Sequence, residues 1–317
     1  MQRVFVTGAT GFIGAAVARA LVCRGFDVAV LVRKTADTWR LGDNVQRMRV
    51  CHGSLHDVDS YKTALRAFRP DTVMHLAWHG VSKAGRDNPA QVRTNVCGSA
   101  ELLWAAIGSG CTTFIGVGSQ AEYGPCDIAI DEGHPPRPDS LYGAAKLATL
   151  TLLDQISRQH NIRLIWLRVF SVYGPQDTAD TLLSSLIRQL LGAIRPRLTC
   201  CDQVWDYLFI NDAAEAFVAV GASSTASGVF NVGSGEAQPL HETITQVRDL
   251  IDPSLPLGFG ELPSPDRSVR RLEPIVSLLH DVTGWSARTR LTTGLWKTIE
   301  WHKQTKASSA TKSVFSG

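Results

Sequence analysis

A short turn with regularly spaced glycines near the start of the chain constrains the fold most strongly. The apolar run that begins at Arg3 stops at Gly8, and Gly11 and Gly14 follow at intervals of three residues, ahead of a helical pattern over 15–21. A strand, a glycine turn and a helix in this order suit the binding of a dinucleotide pyrophosphate at the helix N-terminus. Gly8 allows the tight turn, Gly11 lets backbone N–H groups approach the phosphates, and Gly14 lets the helix pack closely on the strand.

The same glycines would also suit a turn that binds no ligand. The rest of the sequence is therefore needed to distinguish a dinucleotide site from a simple turn. Beta-rich and helical segments alternate through the first half of the sequence, which predicts a Rossmann-like doubly wound parallel sheet with right-handed crossovers. The predicted strands lie near 3–7, 27–33, 47–51, 72–76, 112–118 and 162–169. The predicted helices lie near 12–24, 57–68, 89–108 and 140–160.

This alternation divides the chain into a dinucleotide-binding Rossmann domain and a smaller lobe. Residues 1–170 form the domain, and we expect a strand within about 205–232 to complete its sheet. Residues 171–302 are predicted to form mainly a C-terminal substrate-binding lobe. Residues 303–317 are polar and aperiodic, which predicts a disordered tail.

Composition excludes several classes of protein. The 317-residue chain is 44% hydrophobic and carries a net charge of only +3, so we expect neither nucleic-acid nor membrane binding. The apolar first strand begins at once, and no basic segment precedes it, so we expect no cleaved signal peptide. The seven scattered cysteines lack C-x-x-C spacing and predict reduced thiols in a cytoplasmic protein. Histidines at four-residue spacing have no accompanying ligand cluster, so we predict no metal site.

The segment from Ser140 to Lys146 carries the predicted chemistry. Tyr142 and Lys146 are four residues apart on a predicted helix and therefore lie on one face. Hydride transfer at a carbinol carbon needs a group that moves the hydroxyl proton, and we expect the ammonium of Lys146 to lower the pKa of the Tyr142 phenol for this purpose. Ser119 follows the preceding strand, where its hydroxyl could hold the substrate oxygen.

The end of the second predicted strand indicates which dinucleotide is used. An acid there selects NAD through the ribose 2′-hydroxyl, whereas cations accept the 2′-phosphate of NADP. Arg33 and Lys34 occupy this position, and the next acid, Asp37, comes several residues later. The pair could be a solvated basic turn, but given a dinucleotide site it favours NADP over NAD.

Further motifs resemble the extended short-chain dehydrogenases/reductases, the NAD-dependent epimerase/dehydratase family. They are the glycine spacing, the Tyr142/Lys146 segment, 167–175 (LRVFSVYGP), 230–235 (FNVGSG) and 291–295 (LTTGL). The resemblance implies that Ser119, Tyr142 and Lys146 form the catalytic triad, and that a homodimer forms through the helices near 89–108 and 140–160. Ser54 stands where the family usually has an adenine-binding Asp. Beyond the three glycines, the catalytic pair and the two cations, the cofactor residues are expected to be Thr10, Phe12, Ile13, Ser54, Leu55, Leu76, Ala77, Trp78, Asn95, Val117, Phe170 and Val172.

Within this family, the reaction is predicted from residues that differ between its branches. Dehydratases carry Thr-Asp-Glu where this chain has 119–121 (Ser-Gln-Ala), so the acids needed for dehydration are missing, and Glu122 is one residue out of register. The segment 205–210 (WDYLFI) resembles deoxysugar 4-ketoreductases that act on CDP- or dTDP-linked sugars. We therefore predict an NADPH-dependent reduction with Tyr142 as general acid. An NAD-dependent epimerase is the alternative, and a cofactor-sensing binding protein is the alternative outside enzymes.

The predicted substrate residues include two departures from the family pattern. Ser171 replaces an Asn near the nicotinamide, and Trp205 replaces an Arg that would bind a diphosphate. Arg195, Arg197, Arg267 or Arg270 could replace that guanidinium, although each could equally be a surface charge. The full predicted substrate set is His79, Ser119, Gln120, Ser171, Trp205, Arg267 and Arg270.

Overall fold

The computed structural model describes residues 1–264 and 269–314. Its centre is a sheet of seven parallel strands within these residues, in the order β10-β6-β5-β4-β1-β2-β3. The strands of this sheet are β1 (Arg3–Thr7), β2 (Asp27–Val32), β3 (Arg49–His52), β4 (Thr72–His75), β5 (Thr113–Ser119), β6 (Arg163–Val169) and β10 (Gly228–Val232). The strand order reverses between β1 and β4, and ligands of doubly wound sheets bind at the carboxyl ends of strands at such a point.

Helices cover both faces of this sheet, which confirms the predicted Rossmann-like fold. The α-helices of the described residues are α1 (Phe12–Cys23), α2 (Lys62–Phe68), α3 (Gly98–Ile107), α4 (Leu141–Gln159), α5 (Leu182–Leu191), α6 (Ile210–Ala222), α7 (Leu240–Ile251), α8 (Ser277–Thr283) and α9 (Leu291–Val314). Side chains of a strand alternate between the faces, so Val4 and Val6 pack with α1 and α6, and Phe5 packs with α2 and α3. Val4, Phe5 and Val6 are fully buried, so β1 lies between two hydrophobic clusters, one on each face of the sheet.

The smaller lobe contains short strands that pair outside the central sheet. They are β7 (Ser171–Tyr173), β8 (Val204–Trp205), β9 (Tyr207–Phe209), β11 (Gln238–Pro239) and β12 (Arg271–Leu272). β8 lies between β11 and β12, and β7 pairs with β9. A small apolar cluster that includes Tyr123, Phe170 and Leu272 connects this lobe to the end of β5.

Several predicted boundaries differ from the structure. The expected strand that completes the sheet is β10, which pairs with β6, whereas the 205–209 part of the predicted range lies in β8 and β9. The helix expected from residue 89 begins as a π-helical segment, Gln91–Cys97. The predicted disordered tail, 303–317, differs as well, because α9 continues through it to Val314, and 315–317 lie outside the described residues. Among the described residues, no helix combines the length and the apolar character needed to cross a membrane.

Candidate active site

The glycine turn lies against the backbone at the end of β4. Gly8 has φ of +75°, and a Cβ there would lie 2.5 Å from both the nitrogen of Ala77 and the carbonyl carbon of Leu76. A Cβ on Gly14 would lie 2.1 Å from the carbonyl oxygen of Gly8. Because neither contact leaves room for a side chain, both positions require glycine. The structure thus brings the predicted residues Leu76 and Ala77 next to the turn.

The N-terminus of α1 opens at the same place. Gly11 is its N-cap residue, no described side chain caps the helix, and its first turn contains no acid. The first N–H groups of a helix have no partner inside the helix, and the helix dipole favours an anion beside them. These residues therefore fit a dinucleotide pyrophosphate, with Phe12 and Ile13 supplying first-turn N–H groups and Thr10 inside the turn.

The carboxyl end of β2 is basic in the structure. Arg33 and Lys34 are exposed there, and neither forms an ion pair with any other described residue. The carboxylate of Asp37 accepts a hydrogen bond from the backbone N–H of Trp39 at 2.9 Å, so one of its oxygens is used within its own turn. The positions of Arg33 and Lys34 fit recognition of a 2′-phosphate, and no acid occupies the strand end.

A third cation lies beside the glycine turn and was not predicted from the sequence. Arg40 donates hydrogen bonds to the carbonyl oxygens of Gln176, at 3.0 Å, and of Thr10, at 3.4 Å. Its guanidinium lies 4.5 Å from the centroid of the Trp39 ring. Arg40 is seven residues beyond Arg33, so only the folded chain reveals that it faces the turn.

The segment after β3 is held mainly by its own turn. Ser54 donates its backbone N–H to the hydroxyl of Ser60 at 3.0 Å, and its own hydroxyl lies 2.9 Å from Nδ1 of His56. Leu55 is buried beside Gly98 of α3. The Ser54 hydroxyl is therefore already engaged with His56, and its contact with adenine stays a prediction.

Asn95 fixes the chain after β4 through both ends of its amide. Its oxygen accepts from the N–H of His79 at 2.8 Å, and its nitrogen donates to the carbonyl of His79 at 3.0 Å and to Gln91 at 2.8 Å. Gln91 in turn accepts from the indole N–H of Trp78 at 2.8 Å. Both amide protons of Asn95 are used within the chain, so its contribution to a cofactor site is to position 77–79. His79 itself is exposed.

Tyr142 and Lys146 lie together on α4, as their spacing predicts. The helix begins where the Ser140 hydroxyl accepts from the N–H of Gly143 at 3.3 Å. Lys146 is 1% exposed, donates to the carbonyl of Val117 at 2.6 Å, and lies 3.5 Å from the centroid of the Trp78 ring and 5.8 Å from that of Tyr142. Trp78 also packs edge-on against Tyr142, with ring centroids 6.1 Å apart. Trp78 therefore packs against both Tyr142 and Lys146.

The protonation of this pair differs from the prediction. Burial raises the pKa of Tyr142, while the Ser119 hydroxyl and the charge of Arg86 oppose that rise. Burial also lowers the pKa of Lys146 to about 7, so this amine is a weaker cation than an exposed lysine. The expected lowering of the phenol pKa by Lys146 is therefore wrong for this structure, because desolvation dominates. Tyr142 is a protonated phenol at neutral pH, which suits a general acid.

Ser119 lies at the end of β5 and faces the phenol of Tyr142. Its hydroxyl accepts from the N–H of Ala121 at 3.2 Å and donates to the side chain of Gln120 at 3.2 Å. Its own N–H donates to the carboxylate of Glu122 at 2.9 Å. Glu122 is fully buried, so this residue points into the protein. The structure brings Ser119, Gln120, Tyr142 and Lys146 to one site.

Two of the predicted substrate residues lie together in the smaller lobe. Ser171 and Trp205 meet directly, because the indole N–H donates to the serine hydroxyl at 2.8 Å. Phe170 is buried just before Ser171, and Val172 pairs with Leu208 between β7 and β9.

The arginines do not form one cluster with this pair. Arg270 is exposed, and Arg267 lies outside the described residues. Arg195 and Arg197 both form ion pairs with Glu261. Within 1–264 and 269–314, no three His, Cys, Asp or Glu side chains gather as they would around a metal ion.

The fold and the site together define a Rossmann-type enzyme that uses a nicotinamide dinucleotide. The family model for the NAD-dependent epimerase/dehydratase family matches residues 4–233. The chain therefore belongs to this family, within the extended short-chain dehydrogenases/reductases.

Similar proteins have more than one activity. The chain is 26% identical to a UDP-glucose 4-epimerase of Mycolicibacterium smegmatis, over 95% of this chain and 99% of that protein. It is 28% identical to a GDP-6-deoxy-D-mannose reductase of Pseudomonas aeruginosa, over 90% of this chain and 91% of that protein. Among solved structures, the UDP-glucose 4-epimerase of Thermus thermophilus in complex with NAD has a TM-score of 0.83 and 25% identity, covering 95% of this chain and 99% of that chain.

Proposed function

We propose that this protein uses NADPH to reduce a nucleotide-linked 4-keto-6-deoxy sugar, with CDP- or dTDP-hexoses as the substrate class. The observation that carries the proposal is the basic adenosine end of the cofactor site. Arg33 and Lys34 stand where an acid would select NAD, and Asp37 is engaged with Trp39. A reductase must bind reduced cofactor and release it oxidised at each turnover, and a pool of NADPH serves that direction.

The protonated phenol supports the same direction. When bound, the reduced cofactor supplies a hydride to the keto carbon. Tyr142 donates its proton to the carbonyl oxygen, so the ketone gains a hydride and a proton and becomes a secondary alcohol. Ser119 holds that oxygen beside the phenol. Lys146 stabilises the phenolate that remains until a proton returns from solvent.

The segment 119–121 argues against dehydration. Elimination of water requires an acid and a base near the sugar, and Ser119, Gln120 and Ala121 supply neither carboxyl group. Glu122, the nearest acid along the chain, is fully buried beneath the site and bonded to Arg168. Reduction or epimerisation therefore fits the residues better than dehydration.

Purified protein, NADPH and a pool of CDP- or dTDP-4-keto-6-deoxyglucose test the proposal. We expect loss of absorbance near ~340 nm that depends on the sugar. The Tyr142→Phe variant should lose at least about 100-fold of this rate and still bind cofactor. No oxidation of NADPH with any nucleotide would rule the reductase out.

An NAD-dependent epimerase is the second candidate, because the similar epimerase structure contains NAD. An epimerase returns the hydride to the same sugar and keeps its cofactor bound. Conversion of a UDP-hexose to its 4-epimer, with no net change in cofactor absorbance, would favour this candidate.

We also propose that the protein is a homodimer through α3 and α4. Trp104 on α3 and Leu152 on α4 are 47% and 46% exposed. Burying large apolar side chains of this kind against a second copy removes apolar surface from water.

A further inference from the structure

Glu122 occupies a fully buried position directly behind the catalytic residues. One carboxylate oxygen accepts from the N–H of Ser119 at 2.9 Å and from the indole N–H of Trp166 at 3.0 Å. The other oxygen accepts from Nε of Arg168 at 2.7 Å. The carboxylate therefore connects the last residue of β5 to the interior of β6 through three charge-assisted hydrogen bonds.

Arg168, the ion-pair partner of Glu122, is buried as well. Arg168 is 4% exposed, and its guanidinium lies 4.3 Å from the centroid of the Tyr123 ring. The phenol of Tyr123 donates to Asn231 of β10 at 2.8 Å. A buried ion pair contributes little net stability compared with apolar residues of similar size, because both charges lose their hydration. Stability alone is therefore a weak reason for this pair, and its contact with Ser119 suggests a role in the reaction.

We propose that Glu122 is a positioning residue for the reaction at this site: its buried carboxylate holds the backbone of Ser119 in place and acts by its charge on Lys146. The effect on the rate rests on the proposed function, whereas the effect on Lys146 can be measured without turnover. Glu122 touches neither substrate nor cofactor in this role. It acts through Ser119 by a hydrogen bond and on Lys146 by its charge.

The charges around Lys146 support this assignment. Burial lowers the pKa of Lys146, and the negative charge of Glu122 opposes that change. His75 of β4 faces the same interior, and burial lowers its pKa to about 3, so it stays neutral. Arg86 lies over the outer side of the Tyr142 ring, 5.5 Å from its centroid. Glu132, the other acid near Arg168, accepts from the N–H of Asn231 at 2.8 Å and makes no bond to Ser119.

Removing the charge of Glu122 should change the pKa values of Lys146 and Tyr142 in a known direction. The charge raises the pKa of both Lys146 and Tyr142, so its loss lowers both values. Activity that requires a protonated Tyr142 and a charged Lys146 declines as pH rises. The alkaline limb of kcat should therefore move to lower pH in Glu122→Gln, by about one pH unit.

Three variants separate this role from a purely structural one. Glu122→Gln removes the charge and keeps an acceptor for Ser119. Glu132→Gln is the matched control, since it removes a neighbouring acid charge and keeps the acceptor for Asn231. Glu122→Gln/Arg168→Gln replaces both ionic partners and avoids an unpaired buried guanidinium, so the test remains available if the single variant does not fold.

The decisive readout is the ionisation of Lys146, followed by NMR of protein with isotope-labelled lysine. Lys146 should titrate near neutral pH and be assigned by the loss of its resonance in Lys146→Met. We expect the midpoint to fall by about one pH unit in Glu122→Gln and in the double variant, and to stay constant in Glu132→Gln. An unchanged midpoint in a folded protein without Glu122, or a full return to the wild-type midpoint in the double variant, would overturn the proposal. If the wild-type protein reduces no nucleotide sugar, the proposed function fails while these midpoints still decide the role of Glu122.

Discussion

The indole N–H of Trp205 donates a hydrogen bond to the hydroxyl of Ser171 at 2.8 Å. These two residues are also the two positions at which the sequence departs from the family pattern in this region. β7 carries Ser171 and β8 carries Trp205, so the bond joins two separate small sheets of the lobe. A serine that accepts from the indole keeps its own proton free to donate to a substrate oxygen. The two departures therefore form one structural unit.

Trp205→Phe should weaken binding of the nucleotide sugar. The phenyl ring preserves most of the packing but loses the hydrogen bond that orients Ser171, which is worth about 1 kcal/mol. We expect KM for the sugar to rise roughly fivefold while kcat stays nearly constant. Trp296→Phe, at an indole that is 53% exposed on α9, is the matched control. An unchanged KM in Trp205→Phe would separate this pair from substrate binding.

Arg33→Asp should change the cofactor preference. The substitution removes a cation proposed to contact the 2′-phosphate and adds an acid that can bond the ribose 2′-hydroxyl. Loss of a charged hydrogen bond of about 1.5–3 kcal/mol corresponds to roughly a 10- to 100-fold fall in kcat/KM for NADPH. Steady-state kinetics with NADPH and NADH measure the ratio.

The control for this cofactor prediction is Arg66→Ala, because Arg66 is an exposed cation on α2. That variant should keep the wild-type preference. A wild-type protein that already prefers NADH would contradict the assignment of Arg33.

His75 should make the folded protein sensitive to acid. Thr7 lies 2.7 Å from Nδ1 of His75, and Ser99 lies 2.8 Å from Nε2. Because Ser99 uses its proton on the carbonyl of Asn95, at 2.6 Å, the imidazole is the donor to Ser99 and the acceptor from Thr7. Burial lowers the pKa of His75 to about 3. The neutral tautomer is therefore part of the folded state.

The sign of this pH dependence follows from proton binding. Between about pH 3 and pH 6.5 the unfolded chain binds a proton at residue 75 that the folded chain does not, so stability falls as pH is lowered. The slope from this group approaches about 1.4 kcal/mol per pH unit. Urea unfolding at several pH values should reveal it. His75→Asn should flatten the dependence, whereas the control His241→Asn, at an exposed position of α7, should not. Equal slopes in all three proteins would contradict the assignment.

Trp104→Glu and Leu152→Glu should convert the proposed dimer to a monomer. Each change places a charge on an exposed apolar position of α3 or α4, where dimerisation would bury it at a large cost. Size-exclusion chromatography with light scattering measures the mass. Ile194→Glu is the control, because Ile194 is 59% exposed and lies on neither helix. A wild-type protein that elutes as a monomer would contradict the proposed dimer.

The elements predicted best from the sequence are those with strong local signals. The glycine spacing marks β1 and α1, and hydrophobic runs mark the parallel strands, because a strand covered on both faces is apolar throughout. The Tyr142/Lys146 spacing fixes their common face on α4 through helix geometry alone. These features depend on neighbouring residues, which the sequence displays directly.

The sequence does not reveal features that depend on distant parts of the chain. The sequence places Glu122 out of register for dehydration, but its bonds to Trp166 and Arg168 arise only when β5 and β6 pair. Arg40 reaches the glycine turn because the segment after β2 folds back across it. The sequence shows one charge near Tyr142, that of Lys146, whereas the burial that dominates the pKa of Tyr142 comes from the whole site.

The position of β10 at the edge of the central sheet has a consequence for how the protein can be made and divided. Residues 170–227 leave the sheet to build much of the lobe before the chain returns to pair with β6. A fragment that ends after β6 would expose the backbone donors and acceptors of an apolar strand to other chains, which invites aggregation. A fragment of 1–169 would therefore lack the strand that covers the edge of β6, and a nascent chain can complete its sheet only after Val232 has left the ribosome.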